Sequence, residues 1–477
     1  MSLTSIININ DYHVGKNCTI GGWIVTIRFS KKIIFIKMAD SWQSRLEPFQ
    51  IIFDIIEGTT DELLKLTTGD SLYVTGKIVK SPKSAQPYEL IGSSFVILGK
   101  VHDPSSYPMA KTDLSLEHFR AYPHLECFST TKSAIYGIRS LLMKYSNIFF
   151  EKEGFTKVDM PLITFSECEG GCQPMQITSL LSSGKMADIM QISDQVDFTK
   201  DFFGVKASLT VSSQLELETQ LPLGKVWTVT RAIRGEPSMT TRHLCEFSMI
   251  EFEIPFIDSA KDIICLTEKY LQYIIVAIMH DEWGSKALTF LEKKSGKNIK
   301  DSLLQYIEKP FAQITHYDAI TLLRNVALNN EMTSPEYYDD LSTEHERYLT
   351  DVHFKQPVIV TRYPKQIKAF YMPVIDNDGG IEHVDCFDIL VPGVGELVGG
   401  SARINKVSEL EERITELGLD IKPLQFYVDL RKYGSIPHGG MGLGVERLVK
   451  LITGVDTVRD TVPYPRFYKS GHKNGLK

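Results

Sequence analysis

Cysteine is scarce in this chain: seven among 477 residues, with no Cys-x-x-Cys and no Cys/His pair at metal-ligand spacing. That argues against a zinc site or a disulfide framework and for reduced thiols in a cytosolic protein. The nucleophile elbow Gly-x-Ser-x-Gly is absent, and "TEHERYL" misses the His-Glu-x-x-His spacing of a zinc protease helix. There is no Walker loop ending in Lys-Ser/Thr and no Gly-x-Gly-x-x-Gly. The N-terminus "MSLTSIININDYHVGKN" has neither an apolar signal core nor an Arg/Ser-rich transit pattern, and no apolar run reads as a membrane span. Net positive charge is lacking too, at −7, which excludes a general polyanion binder and leaves RNA contact to a local basic patch. The expectation is a soluble intracellular protein with no membrane partner.

What is present is a chain 43% hydrophobic and 23% charged, enough for a large core and two or three domains. From Cys18 to about Lys100 come five Ile-, Val-, Phe- and Tyr-rich runs: "CTIGGWIVTIRF", "KIIFIKMAD", "FQIIFDI", "SLYVTGKIV" and "ELIGSSFVILG". One short helix, "TTDELLKLT", interrupts them, and the set fits a small barrel of the oligonucleotide-binding type. "KVHDPSSYPMAKTDLS" reads as a hinge, and "SAIYGIRSLLMKYSNIFFEKEGF" as a long helix ending at Gly154. Beyond it, "KVDMPLIT", "SLTVSSQL", "KVWTVTRAIR", "EFSMIEFEIPF", "PVIVTRY" and "HVDCFDILV" are strand candidates. "AKDIICLTEKYLQYIIVAIMH", "HYDAITLLRNVA" and "KVSELEERITELG" are helix candidates. The fold class is α+β: a barrel over residues 1–105, a hinge over 106–130, and over 131–477 a domain built on a mainly antiparallel sheet with helices.

Four stretches can carry chemistry. "VPGVGELVGGSAR" and "PHGGMGLGVERLVKLITG" are either tight turns or places where a flat ring or phosphate approaches the backbone. Arg447 lies just inside a helix expected to begin near Leu443, with Leu443, Leu448, Leu451 and Ile452 apolar, and either meets such a ligand or is a surface residue. "FDILVPGVGE" sets Asp388 and Glu396 across a Pro-Gly turn. If its flanks pair, both can face one point, a magnesium-like set of hard oxygens; otherwise they are two solvated acids. "VDMPLITFSECEGG" offers Glu167 and Glu169 to an ammonium or to solvent. In "TRAIRGEPSMTTRHLCEFSMIEFE", alternation puts Thr230, Ala232 and Arg234 on one face, and Phe247, Met249, Glu251 and Glu253 on one face of the second strand. That is either a site for an anion, a metal and a ring together or an exposed, ion-paired hairpin. Arginines, paired acids and glycines point to phosphoryl or nucleotidyl chemistry by positioning and charge.

"RAIRGEPSMTTRHLCEFSMIE", "GGMGLGVERLVKLITG" with "VRDTVPYPR", and "FFEKEGFTKVDMPLI" resemble the three signature motifs of class II aminoacyl-tRNA synthetases, in the right order. "LTVSSQLELE", "DLSTEHERYL", "YPKQIKAFYMPV", "PGVGELVGGSAR" and "YGSIPHGGMGLGVERL" are similar to the asparaginyl branch, over Cys18 to Arg466. The resemblance implies an OB-fold anticodon-binding barrel and a class II catalytic domain with a mixed sheet. It also implies ATP and Mg2+, asparagine and tRNA(Asn) as substrates, and a homodimer formed around Pro161. The catalytic residues would be Arg234, on the ATP α-phosphate and the amino-acid carboxylate, and Arg447, on the γ-phosphate and one face of adenine with Gly444 beside it. Phe247 would stack on adenine with Glu236 near it, Arg242 and His243 would reach the pyrophosphate, and Asp388 and Glu396 would hold magnesium. Glu169 would take the α-ammonium beside Gln214.

Leu217 stands where aspartyl enzymes place a Lys. Glu218 would then accept from the substrate amide NH2 and repel a carboxylate, with Arg403 donating to the amide oxygen; otherwise Glu218 is a solvated helix residue. On the barrel, Phe35 would stack on an anticodon base with Arg28 and Gln50 bonding nearby, unless Phe35 is barrel core. The sequence departs from the branch at "HLECFS" around Cys127, at "CEGGCQP" with Gly171 and Cys172, at Glu216 where Tyr is usual, and at Ile233 where Phe is. The implied activity is ligation of asparagine to tRNA(Asn) through asparaginyl-adenylate. The alternatives are a paralogue that charges aspartate or makes asparagine without tRNA, or a non-catalytic binder of RNA or a partner. The complete barrel argues against synthesis of asparagine without tRNA, and the intact Arg234, Glu236, Arg447, Asp388 and Glu396 argue against a non-catalytic binder.

Overall fold

The computed structural model describes all residues except 1–2, 56–59, 83–85, 111–112, 167–173, 182–190, 193–194, 329–331, 379 and 473–477. The chain divides into two compact units, one of Met1–Leu141 with Met279–Lys297, the other of Leu142–Ile278 with Asn298–Ser470. In the first, β1 (Asn17–Phe29), β2 (Ile33–Ala39), β3 (Phe49–Asp54), β4 (Ser71–Lys80) and β5 (Tyr88–Gly99) close a barrel in the order β1-β2-β3-β5-β4. Alternation along β2 explains its interior: Ile34, Ile36 and Met38 point inward, where Ile20, Ile51, Val74 and Leu90 meet them. Phe35 and Lys37 take the opposite face, so Phe35 is not barrel core. The expected hinge, 106–130, lies within this unit and contains the helix Leu116–Ala121, anchored by buried Phe119.

The second unit is built on eight strands: β6 (Thr156–Lys157), β7 (Val226–Ile233), β8 (Glu246–Pro255), β9 (Ala312–Thr315), β10 (Val358–Thr361), β11 (Cys386–Val391), β12 (Gly395–Ala402) and β13 (His438–Gly444). Their order is β9-β10-β11-β12-β13-β8-β7-β6. Only the outer pairs β9–β10 and β7–β6 are parallel, so the sheet is mixed and mainly antiparallel. Helix α1 (Thr130–Lys152) buries Ile135, Ile138, Leu142 and Phe149 at helical spacing and stops before Gly154, whose φ of +77° suits only glycine at low cost.

Three expectations are corrected. "KVDMPLIT" is not one strand: only Thr156–Lys157 and Ile163–Thr164 pair, with Pro161 between them. "SLTVSSQL" pairs only over Ala207–Leu209 and then turns into helix α2 (Gln214–Glu218). Leu443 belongs to β13; the following helix α7 runs Val445–Thr453 and buries Val445, Leu448, Val449 and Ile452. The glycines of "HGGMGLG" therefore form a central strand, not a turn. At Gly440 a Cβ would collide with the carbonyl oxygen of Phe252 and the carboxylate of Glu253 on the neighbouring strand.

Contrary to the expectation that no apolar run reads as a membrane span, helix α3 (Ala260–His280) is long and apolar enough to cross a bilayer. Its apolarity has a local cause. Ile263, Ile264, Tyr270, Leu271, Ile274 and Ile278 form a buried face, and Tyr270 is fixed by Ser146 at 2.7 Å and by the rings of Phe149 and Phe150. The polar Asp262, Glu268 and Lys269 occur along the same helix.

Candidate active site

The β7–β8 hairpin sets the floor. Ala232 pairs with Phe247, and the Arg234 N–H donates to the Cys245 carbonyl at 2.8 Å, continuing the ladder beyond Ile233. Alternation thus puts Arg234 and Phe247 on one face, with the guanidinium carbon 5.5 Å from the ring centroid. The small, buried Ala232 leaves that space open. The acids of the hairpin sort by depth. Glu246 makes a 4.0 Å surface pair with Arg231, Glu251 is buried and accepts from Ser212 and Ser213, and Glu253 is buried against Arg403 at 2.6 Å.

Two clefts open on this floor, of about 600 Å³ and about 340 Å³. They share Arg234, Met249, Asp340, Glu396 and Gly442, so Arg234 and Glu396 stand where the contents of both would meet. The smaller cleft gathers the residues expected for ATP: Glu236, Arg242, His243, Phe247, Gly444 and Arg447. Gly444 leads into α7, where a Cβ would be in ordinary contact with the Arg447 side chain, and Arg447 in the first turn of that helix donates to the Glu396 carbonyl oxygen. Phe247 is half-buried, backed by Leu244, Val458, Val462 and Phe467. His243 accepts or donates through Nδ1 to Thr240 at 2.6 Å and Ser238 at 3.0 Å. Burial, then the charges of Arg447 and Arg242, push its imidazole below the ordinary value, so the ring is held neutral between cations.

Sequence reasoning missed the partner of Arg242. Its guanidinium is bonded to buried Glu346, next to Gly395, where φ is +86° and a side chain would strike both groups. Burial pushes the Glu346 carboxyl up to about 7, against the pull of Arg242.

Asp388 and Glu396 do face one point. Asp388 pairs with Gly399 across β11–β12, and a Cβ on Gly399 would lie 3.3 Å from Asp388 Oδ1 and 3.4 Å from Glu396 Oε1. A bulge makes this possible: the register slips between Ile389 and Leu390, giving β12 one extra residue. Without that slip, alternation would turn Glu396 to the other face from Gly399. Asp388 Oδ2 is held by Lys368 Nζ at 2.7 Å, and Lys368 also sits over the Tyr363 ring. Burial raises the Asp388 carboxyl, while Arg447, Lys368 and Arg234 overcome burial at Glu396 and lower it. Among the described residues no three His, Cys, Asp or Glu side chains cluster as a metal cage. Two hard oxygens at the edge of a phosphate-sized cleft are the set that magnesium takes when a substrate supplies the remaining ligands.

In the larger cleft, Gln214 and Arg403 line the wall. Gln214 Nε2 donates to Glu218 at 3.1 Å, which leaves its Oε1 as the free acceptor of that amide. Glu218 is fully buried, not solvated. It accepts from Gln214 and Tyr427 on Oε1 and from Arg431 and His438 on Oε2, and it does not line the cleft itself. Arg403 donates to Glu253 and Ser401 and lies over Tyr371, which still leaves N–H groups for a ligand. Glu169, Gly171 and Cys172 lie outside the described residues. The unusual Glu216 is tied to Thr164 at 2.9 Å, and Ile233 is buried.

Asp340, the first residue of "DLSTEHERYL", lines both clefts, a role that stretch did not disclose. Its neighbour Asp339 is held by His316, the first residue of helix α4 (His316–Ala327), whose Nε2 donates to the Asp339 carbonyl at 3.2 Å. Burial pushes the His316 imidazole down from 6.5 to about 4. Between these values the unfolded chain binds the extra proton, so stability is full above pH 6.5 and falls as pH drops toward 4, by about 3 kcal/mol in all. His316→Gln, which keeps a donor but cannot titrate, is expected to flatten that fall in urea unfolding measured across the same range.

On the barrel, Arg28 pairs with Phe35, Phe35 with Ile52, and Lys37 with Gln50, so the three predicted anticodon residues share the outer face. Arg28 is exposed, Phe35 and Gln50 half-buried, and Gln50 is braced by Glu89 at 3.0 Å.

Comparison with known proteins gives the family. The model of the tRNA synthetases class II (D, K and N) matches residues 115–468. The asparagine–tRNA ligase of Photobacterium profundum is 40% identical, over 96% of this chain and 97% of its own; that of Shewanella loihica is 38% identical, over 99% and 100%. Among solved structures, asparaginyl-tRNA synthetase of Pyrococcus horikoshii complexed with asparaginyl-adenylate superposes with a TM-score of 0.82 at 29% identity, covering 98% of this chain and 99% of that one. The Entamoeba histolytica enzyme, also with asparaginyl-adenylate, gives 0.78 at 28% identity, covering 97% and 98%. The chain belongs to the class II tRNA synthetase family of the D, K and N enzymes, and within it to the asparagine–tRNA ligases.

Proposed function

We propose that this chain activates asparagine with ATP and transfers it to tRNA(Asn). The observation that carries the reading is the meeting of two clefts at Arg234 and Glu396, one edged by arginines and a ring, the other by Gln214 and Arg403 with buried Glu218 behind them. Arg234 bridges the α-phosphate and the amino-acid carboxylate, opposing the charge that builds as that carboxylate attacks phosphorus. The bond from the α-phosphorus to the bridging oxygen breaks, and pyrophosphate leaves toward Arg242 and His243. Phe247 and Arg447 hold adenine between them, with Glu236 and Gly444 at its edge. The substrate carboxylate is already a nucleophile, so no protein base is needed. Asp388 and Glu396 would hold magnesium, which supplies charge neutralisation of the triphosphate. Gln214 Oε1, with Glu169, receives the α-ammonium, and Arg403 donates to the amide oxygen. The terminal ribose hydroxyl of tRNA then attacks the acyl carbon, and AMP leaves.

Barrel residues Arg28, Phe35 and Gln50 read the anticodon, and the protein works as a homodimer. The free Cys18, Cys127, Cys245, Cys265 and Cys386 suit the reducing cytoplasm. Charging of tRNA(Asn) with labelled asparagine tests the whole sequence of steps, and failure to charge any tRNA would sink it. Within it, Phe35→Ala is expected to lower charging by roughly tenfold or more, the worth of one base–aromatic stack, and to leave adenylate formation and folding unchanged. Equal losses in both reactions would remove Phe35 from the anticodon site.

A further inference from the structure

Behind the amino-acid end of the cleft lies a buried cluster to which nothing above gives a role. Helix α6 (Gln425–Lys432) contributes Tyr427 and Arg431, β13 contributes His438, and β8 contributes Glu253. Every arm of Arg431 is fixed: Nη2 donates to Glu218 Oε2 at 2.8 Å and to the Tyr427 hydroxyl at 2.9 Å, Nε to the Ile404 carbonyl at 2.8 Å, and Nη1 to the Tyr427 carbonyl at 3.3 Å. Glu218 in turn receives Gln214, Tyr427, Arg431 and His438, which fills roughly the four lone-pair directions of a carboxylate. Arg403 Nε stands 3.6 Å from its other side.

Resting on the reading of this cleft as an asparagine site, we infer that Arg431 is a specificity-determining positioning residue, which keeps Glu218 a fixed anion beside Arg403 so that an aspartate side chain is refused. Arg403 alone, a buried cation in the wall, would favour a carboxylate over an amide. Two acids offset it, Glu253 at 2.6 Å and Glu218 at 3.6 Å. A buried carboxylate stays charged only while its partners outweigh desolvation. At Glu218 burial opposes the charge; the charge of Arg431 is the largest single opposing influence, joined by the hydrogen bond and charge of His438 and by Arg403, and together they hold the carboxyl well below the usual range. His438 stands between Glu218 Oε2 at 2.9 Å and the Ile436 carbonyl at 2.7 Å, which fixes its ring beside the carboxylate. Glu253, whose carboxyl is raised by burial and by Glu218, pushes in the opposite sense. Without Arg431, Glu218 protonates more readily, and the fixed negative charge behind the wall that opposed an aspartate carboxylate is lost.

The test is ATP–pyrophosphate exchange by the full chain with asparagine and with aspartate, from about pH 6 to about pH 9. For Arg431→Met, the ratio of kcat/KM for asparagine over aspartate is expected to fall about ten- to a hundredfold, and the remaining preference to rise with pH as Glu218 ionises. Arg431→Lys, which keeps the charge, should restore most of the ratio. Tyr427→Phe, which removes one donor and keeps the ring, should move the ratio the same way by less, and serves if Arg431→Met does not fold. Parallel losses with both amino acids at every pH, or an unmoved ratio in Tyr427→Phe, would overturn the inference. Wild-type exchange with neither amino acid would instead sink the reading of the cleft, and the inference with it.

Discussion

Arg234→Ala is expected to lower asparagine-dependent pyrophosphate exchange at least about a thousandfold while the protein remains folded. The guanidinium stands at the junction of both clefts, over the Phe247 ring and within 3.4 Å of the Val211 carbonyl. A preorganised donor aimed at developing phosphorus charge is worth about a hundred- to a thousandfold on its own. In the proposed reaction Arg234 serves two substrates at once, so its loss would also free the carboxylate from its line of attack. The side chain is half-buried at a cleft wall and fills no core, so the thermal midpoint should move little. Stopped exchange with unchanged unfolding is the expected pair of results. A variant that keeps a tenth of the activity would mean that Arg447 or Arg242 carries the phosphate charge instead.

Gly440→Ala is expected to act through the fold, and strongly. β13 runs between β12 and β8 at the centre of the sheet, and Gly440 pairs with both Ser401 and Glu253. The added Cβ meets the Phe252 carbonyl and the Glu253 carboxylate, a backbone atom and a buried, ion-paired group, so neither can yield cheaply. Overpacking of this kind costs about 3 kcal/mol, and it would also displace the Glu253–Arg403 pair. The contrast is Gly444→Ala, four residues on. The nearest atom to its Cβ is 3.7 Å away on Arg447, but the new methyl projects at the smaller cleft. It should leave the unfolding midpoint in place and raise the KM for ATP. Urea unfolding and exchange kinetics on the two variants separate these effects; equal stability of both would contradict the packing argument.

Much of the fold could be read ahead of the coordinates because local periodicity and global packing agree. The barrel runs alternate, α1 and α4 carry a 3.6-residue apolar stripe, and each appeared where its pattern lay. The glycine-rich "HGGMGLG" was misjudged because a strand needs no side chains when its neighbours approach from both sides, and that closeness is invisible in one dimension. Leu443 suited a helix in spacing and a strand in contacts, and β-pairing with Ile250 and Val398 prevailed. In the site, Arg234, Phe247 and Arg447 stood in long recognisable motifs. Glu346 and Asp340 lay in "DLSTEHERYL" and Lys368 in "YPKQIKAFYMPV", but nothing in those stretches marked their roles, and Arg431 stood in no such stretch; Glu346, Lys368 and Arg431 act through partners tens to hundreds of positions away, Arg242, Asp388 and Glu218. Asp388 and Glu396 fall between. Their spacing suggested convergence, but the bulge that delivers it left no mark in the sequence.

Two of the departures stay out of the larger cleft's wall. Glu216 is bonded to Thr164, and Ile233 is a buried residue of the hairpin strand β7. The wall itself is Gln214 and Arg403 with Glu218 behind them, held by groups from four separate elements. Such a wall distinguishes two nearly isosteric side chains by charge and donor pattern, which is the distinction a ligase for asparagine has to make.

The most direct measurement is ATP–pyrophosphate exchange with asparagine and aspartate supplied in turn at equal concentration. The account predicts exchange that depends on asparagine, with aspartate far weaker. Exchange with neither amino acid, or with aspartate alone, would contradict it.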